Sequence, residues 1–226
     1  MMEGEAAHHL GRVLRAQPGQ VYELSDGTSV WLGRIDIVQR DRVEFELTES
    51  LPSEVSPLEV TLLLSVVKFD AFEWALEKAT ELGVTRIVPL AAARSEKALL
   101  VAAPKRAERW RKILLESSQQ CRRVRLPVLD ALAKPEQVFA GLDGVRILLS
   151  EACEAKPLRQ VLAGQGASSA VLAIGPEGGW TDAEFDAARR EGFAEASLGK
   201  LILRAETAVI ASLAILNFAL DRAENF

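Results

Sequence analysis

Ala170-Val171-Leu172-Ala173-Ile174-Gly175-Pro176-Glu177-Gly178-Gly179-Trp180-Thr181-Asp182 runs from an apolar stretch, through a glycine-rich turn, into a polar segment with helical character. Ala170 to Ile174 has the unbroken apolar character of a strand buried on both faces. Thr181 suits an N-cap, and Glu184 stands three residues on, as in a capping box, so a helix is expected to Arg190. Three glycines and a proline set an unusual backbone path and let a ligand come close to the main chain. The turn matches neither GxGxxG nor GxxxxGK(S/T), so it indicates no dinucleotide or nucleoside triphosphate site.

The same alternation extends outward from this turn. Upstream, Leu58 to Val67, Val84 to Leu90 and Val145 to Leu149 read as strands. Asp70 to Leu82 carries Phe72, Leu76, Ala79 and Leu82 at helical spacing and stops at Gly83. Pro104 to Gln120 reads as a helix with proline in its first turn. Downstream, Ala194 to Leu198 is a strand and Ala205 to Asp221 a helix. Strands alternating with helices imply an α/β domain with a mainly parallel sheet, whose ligands sit beyond the carboxyl ends of the strands. A second loop meets that condition: Leu198-Gly199-Lys200-Leu201-Ile202-Leu203-Arg204-Ala205-Glu206-Thr207-Ala208. Glu206 suits the helix start, whereas Arg204 opposes the macrodipole there. That cation is expected to have another duty, with an ion pair to Glu206 as the plain alternative.

The first fifty-odd residues differ. Val21 to Leu24, Ser29 to Ile37 and Arg42 to Thr48 are short β-prone runs, and Ser25-Asp26-Gly27 marks a hairpin. Leu51-Pro52-Ser53-Glu54-Val55-Ser56-Pro57 reads as a linker. The expected domains are therefore 1–55 and 58–226.

Composition adds bounds. With 226 residues, 49% hydrophobic and 26% charged, the chain has the material of a soluble globular protein. Cys121 and Cys153 give no disulfide framework and no CxxC pair, and the expectation is two reduced thiols in a cytoplasmic protein. The N-terminal residues contain no apolar core of a signal peptide. Ala208 to Leu220 is too short to span a bilayer and reads as a helix buried on most of its faces. The adjacent His8 and His9 indicate no metal site, since neighbouring side chains rarely chelate one ion. Net charge is −5, which on its own argues against nucleic acid. Between Lys105 and Arg125, however, eight basic residues face two acids. Such a stretch either holds a phosphate backbone or forms a solvated helix face. Arg109, Lys112, Glu116, Gln120 and Arg123 follow spacings that put them on one helical face, with Trp110, Ile113 and Leu114 turned elsewhere.

The pair IGPEGGWTDAEF and LGKLILRAETA resembles the two C-terminal signatures of the SPOUT methyltransferases, and within them the 16S ribosomal RNA uridine N3-methyltransferases. His9 to Arg15 is similar to that family's N-terminal motif. Lys68, Asp70, Glu73 and Lys78 to Val84 are similar to its first α/β unit, and Glu116, Gln120, Arg123 and Pro127 to its central helix. Phe69 and Arg122 depart from it, standing where the family has a glycine and a small residue. The family's opening strand is also short here, so the barrel is expected to lack a strand or to borrow cover.

The resemblance implies a small PUA-like β-barrel followed by an α/β domain tied in a trefoil knot, a homodimer, and S-adenosylmethionine as cofactor; Ala208 to Leu220, apolar over nearly its whole circumference, is the expected dimer contact. It places the cofactor on three loops. They are Leu149, Ser150 and Glu151; Ile174, Gly175, Pro176, Glu177, Gly178 and Gly179; and Leu198, Gly199, Leu201, Ile202 and Leu203, with Thr207 beside them. The RNA contacts it implies are Arg12, Arg15, Arg94, Arg109, Lys112, Glu116, Gln120 and Arg123, on 16S ribosomal RNA or the small subunit. Methyl transfer to N3 of uracil requires alignment and loss of a proton. Arg204 as anion stabiliser and Glu206 as its orienter are the expected catalytic pair, with Glu177 more a brace of its loop than a base. A ribose 2′-O-methyltransferase and a non-catalytic RNA-binding assembly factor are the rival readings.

Overall fold

The computed structural model describes residues 1–52, 58–152 and 154–220. Most of the expected linker, Cys153 and Asp221 lie outside these residues. The chain divides into two compact units, Met1–Val55 and Ser56–Phe226.

The first unit is an antiparallel half-barrel. Its strands are β1 (Met2–Glu3), β2 (Val21–Ser25), β3 (Val30–Val38) and β4 (Arg42–Leu51), in the order β1-β4-β3-β2. The expected Asp-Gly hairpin joins β2 to β3. Asp26 Oδ1 accepts from the N–H groups of Thr28 and Ser29 and from the Thr28 hydroxyl, and Gly27 takes the left-handed φ of 89° that the turn needs. These bonds to the ionised form hold the Asp26 carboxyl below its ordinary pKa. The opening strand is only two residues long, and cover comes from a helical segment the sequence did not announce. Helix α1 (Gly4–His8) and a π-helical turn (His9–Val13) lay Ala7 and Leu10 against Ile35 and Val43.

The second unit is a parallel sheet with helices on both faces. Its strands are β5 (Glu59–Ser65), β6 (Arg86–Leu90), β7 (Val128–Leu129), β8 (Val145–Leu149), β9 (Lys156–Pro157), β10 (Ser169–Ile174) and β11 (Ala194–Ser197). Their order is β7-β6-β5-β10-β8-β11-β9. The apolar runs of β5 and β10 are adjacent, in register from Glu59↔Ser169 to Leu64↔Ile174. Alternate residues serve two cores. Leu62, Leu64, Leu172 and Ile174 join one cluster with helices α2 (Phe69–Glu81), α3 (Lys97–Gln120) and α7 (Ala205–Leu220). Leu63, Val171 and Ala173 join another with α4 (Pro135–Val138) and α6 (Asp182–Arg190). A short α5 (Leu158–Val161) completes the unit.

Helix α3 departs from the sequence reading at both ends. It begins at Lys97, so Pro104 lies two turns inside rather than in the first turn. The preceding Lys97 to Ala103 are good helix formers that outweigh one lost backbone bond. It ends at Gln120, and Arg122 adopts a left-handed φ of 56°. The chain turns there, so Arg123 does not extend the polar stripe. Trp110 and Leu114 do pack inward, with Trp110 stacked obliquely on Phe72 at 4.6 Å between ring centroids. No helix of the described residues is long and apolar enough to cross a membrane, and none of their acidic, His or Cys groups cluster as a metal site.

Candidate active site

Strands β10, β8 and β11 are neighbours, and being parallel they end on the same edge of the sheet. The loops beyond their carboxyl ends enclose a cavity of about 530 Å³, a volume suited to a cofactor-sized ligand. The loop after β8 contributes Leu149, Ser150 and Glu151. The loop after β10 contributes Ile174 to Gly179, and that after β11 contributes Leu198 to Arg204.

Three side chains, Trp180, Glu184 and Arg94, fix these loops. The Trp180 indole N–H donates to the Leu149 carbonyl at 2.9 Å, tying the end of the glycine turn to the end of β8. A Cβ on Gly175 would stand 3.0 Å from the Trp180 ring, which is why glycine occupies that position. Gly179 takes a left-handed φ of 69°. Glu184, almost fully buried, completes the capping box with Thr181 and also accepts from the Ala93 N–H at 2.8 Å. It therefore joins the start of α6 to the loop after β6. From that loop Arg94 donates to the carbonyls of Gly178 and Trp180 at 2.9 and 3.0 Å. A Cβ on Gly178 would meet Arg94 Cβ at 3.1 Å, so this glycine is required by Arg94 rather than by the cavity.

The structure thus gathers every residue expected to hold the cofactor except Thr207. Arg204 lies in the cavity wall, exposed, and makes no ion pair to Glu206 among the described residues. Glu206 and Thr207 are not in the wall. Ala205 and Ala208, three residues apart on the first turn of α7, share the cavity side, and the helical rotation carries 206 and 207 away from it. Glu206 is therefore withdrawn as the orienter of Arg204, and Thr207 as a cavity residue. Sequence reasoning missed Trp180 and Phe185 in the wall. Trp180 was visible in the motif, but nothing local shows that its N–H reaches across to β8.

The residues expected to bind RNA are spread over the molecule. Arg12 and Arg15 are exposed in the first unit, Arg15 with a left-handed φ of 53°. Arg109 and Arg106 both pair with Glu73, which is nearly buried, at 2.8 and 3.3 Å. Lys112 and Glu116 form a loose i,i+4 pair at 3.9 Å and, like Gln120, are exposed. Arg123 turns back to donate to the Thr80 carbonyl at 3.1 Å, and burial lowers its guanidinium pKa. Part of the basic stretch therefore serves helix packing, and a smaller set remains at the surface.

Comparison with known proteins follows the same division. Residues 54–217 match the RNA methyltransferase domain family, and residues 3–48 match the RNA methyltransferase PUA domain. A Synechocystis protein named ribosomal RNA small subunit methyltransferase E is 35% identical over 219 residues, covering 95% of this chain and 71% of its own. The chain belongs to the RNA methyltransferase family. The Aquifex aeolicus small subunit methyltransferase E is 28% identical, with 96% of this chain and 92% of its own covered. Among solved structures, small subunit methyltransferase E of Neisseria gonorrhoeae, bound to S-adenosyl methionine, aligns at TM-score 0.86 and 29% identity. That alignment covers 96% of this chain and 90% of the other. A Legionella pneumophila protein in complex with the same cofactor aligns at TM-score 0.85 and 30% identity, covering 95% and 89%. The fold of this RNA methyltransferase has the two parts the resemblance implied, a PUA-like unit before an α/β domain with a seven-stranded parallel sheet.

Proposed function

We propose that this chain methylates N3 of a uridine near the 3′ end of 16S ribosomal RNA, using S-adenosylmethionine, during maturation of the small subunit in the cytoplasm. The observation that carries the reading is the cavity at the ends of β8, β10 and β11, with Arg204, a cation without an ion pair among the described residues, in its wall.

The residues fit the cofactor. Ile174, Leu198 and Leu203 offer apolar surface to a purine. The main-chain N–H groups of Leu201, Ile202 and Leu203 have no protein partner among the described residues, and are free for polar edges. When bound, S-adenosylmethionine supplies an electrophilic methyl group on a sulfonium. The task of the chain is then to hold the acceptor in line with that methyl and to favour its anion. Arg204, which cannot itself act as base, stabilises negative charge on a uracil carbonyl by a charge-assisted hydrogen bond. Domain 1–55, with Arg12 and Arg15, and the surface residues Arg109 and Lys112 bind the RNA backbone, Glu116 and Gln120 accept from ribose hydroxyls and base edges beside them, and Arg123 reinforces the fold beneath. Phe218 on α7 is 92% exposed, and covering it accounts for a homodimer through the last helix.

The test is mass spectrometry of 16S ribosomal RNA nucleosides from cells lacking the gene. Loss of N3-methyluridine, restored by the gene and not by Arg204→Ala, is the expected result. Loss of a ribose-methylated nucleoside instead would overturn the reading.

A further inference from the structure

We infer that a second cavity receives the acceptor base and that Glu177, in the wall common to both cavities, takes the proton from N3; the inference rests on the uridine reading above. This cavity, about 390 Å³, is lined by Lys68, Arg94, Glu96, Leu99, Glu177 and Gly178. It shares Arg94, Glu177 and Gly178 with the cofactor cavity, so the two cavities adjoin across that wall.

The side chains sort by whether they are committed. Arg94 holds Gly178 and Trp180. The side chains of Lys68, Glu96 and Glu177 make no hydrogen bond or ion pair among the described residues. Glu177 therefore does not brace its loop; Arg94 and Glu184 do that. What remains is a carboxylate at the partition, with the free cation Lys68 in one cavity and Arg204 in the other. Uracil presents a donor, N3–H, between two carbonyl acceptors. An acceptor with the cation Lys68 in the same cavity, and Arg204 across the partition, complements that edge. Cytosine presents a lone pair at N3, which a carboxylate repels, so the same group selects uridine.

The step balances without a further reactant. The N3 proton passes to a Glu177 oxygen. The electron pair left on N3 forms the new N–C bond, and the pair of the broken C–S bond stays on sulfur. Glu177, exposed, returns the proton to water. Lys68, Arg94, Glu96, Glu151, Lys200 and Arg204 are the other charged groups around the two cavities.

The experiment uses Glu177→Gln and small subunits purified from cells lacking the gene, with the target uridine intact or replaced by cytidine. Cofactor-free parent protein should bind the uridine particles about tenfold tighter or more. Glu177→Gln, which offers an N–H, should lose that preference. In single turnover the variant should be slowed about a hundredfold or more. Its rate should keep rising with pH where the parent has levelled, and Glu177→Asp should recover part of the loss. Cofactor calorimetry within about threefold of the parent shows an intact site. Equal binding of both particles by the parent, or an unchanged pH profile in the variant, overturns the inference. Methyl found on ribose in the product overturns the uridine N3 reading instead, whatever the variant does.

Discussion

Trp180→Phe isolates the contact on which the cofactor cavity most depends. The substitution keeps a ring beside Phe139, whose centroid lies 6.2 Å away, and removes only the indole N–H and one ring of volume. That N–H is buried and donates to the Leu149 carbonyl at 2.9 Å. Depriving a buried carbonyl of its partner costs about 1–3 kcal/mol. In a unit of this size each kcal/mol lowers Tm by about 2–4 °C, so calorimetry should register a fall of about 2–12 °C. The same bond spans two of the three loops around the cavity. If about 1.4 kcal/mol of the loss appears as disorder of the glycine turn, the Kd for S-adenosylmethionine rises about tenfold. Scanning calorimetry and titration calorimetry on parent and variant read the two effects separately. A variant with the parent's Tm and Kd refutes the reasoning. A lower Tm with unchanged Kd would show that Trp180 serves the core and not the cavity.

Gly178→Val should displace Arg94 and break its two carbonyl bonds, weakening cofactor binding at least fivefold while far-ultraviolet circular dichroism stays unchanged; normal titration calorimetry counts against it. Arg204→Ala should cut single-turnover methylation about a hundredfold with little change in cofactor Kd. Near-normal turnover would remove Arg204 from the chemistry. Lys112→Ala should shallow the log–log salt dependence of RNA binding by about one unit. Arg123→Ala should instead lower stability by about 1–2 kcal/mol in urea melts, because its guanidinium is engaged with Thr80; the reverse pattern would restore Arg123 to the RNA surface. Asp26 has a folded pKa below its unfolded value near ~3.9, so its stabilising effect is present above that pH and is lost as pH falls through the folded value. An acid titration of hairpin chemical shifts should show this in the parent and not in Asp26→Asn.

The sheet was legible because buried parallel strands must be continuously apolar, and Leu62 to Leu64 and Val171 to Ile174 declare that directly. The cavity was legible because its three loops follow those strands. Pairings between distant segments were not legible. Nothing near Trp180 specifies Leu149, and nothing near Glu184 specifies Ala93. Pro104 suits a first turn by its residue type but lies inside α3, because the apolar, Ala-rich run before it already carries the helix. The polar stripe fails at Arg123 because a left-handed Arg122 breaks a periodicity that the residue types alone continue. Glu206 was misplaced for a simpler reason: a helix start was recognised, but which side of its first turn would face the cavity depends on how α7 lies against the sheet.

The register of β5 with β10 bears on the birth of the molecule. During synthesis β5, β6 and β7 emerge together, but the strand that completes the inner edge of β5 leaves the ribosome far later. Until then the chain carries an unpaired, strongly apolar edge, a template for association with other nascent chains. The methyl-donor cavity, assembled from β8, β10 and β11, forms only after that edge is covered. A ribosomal RNA methyltransferase therefore acquires its cofactor cavity only once the loop after β11 has emerged, and its yield in the cell should depend on translation speed and chaperone supply.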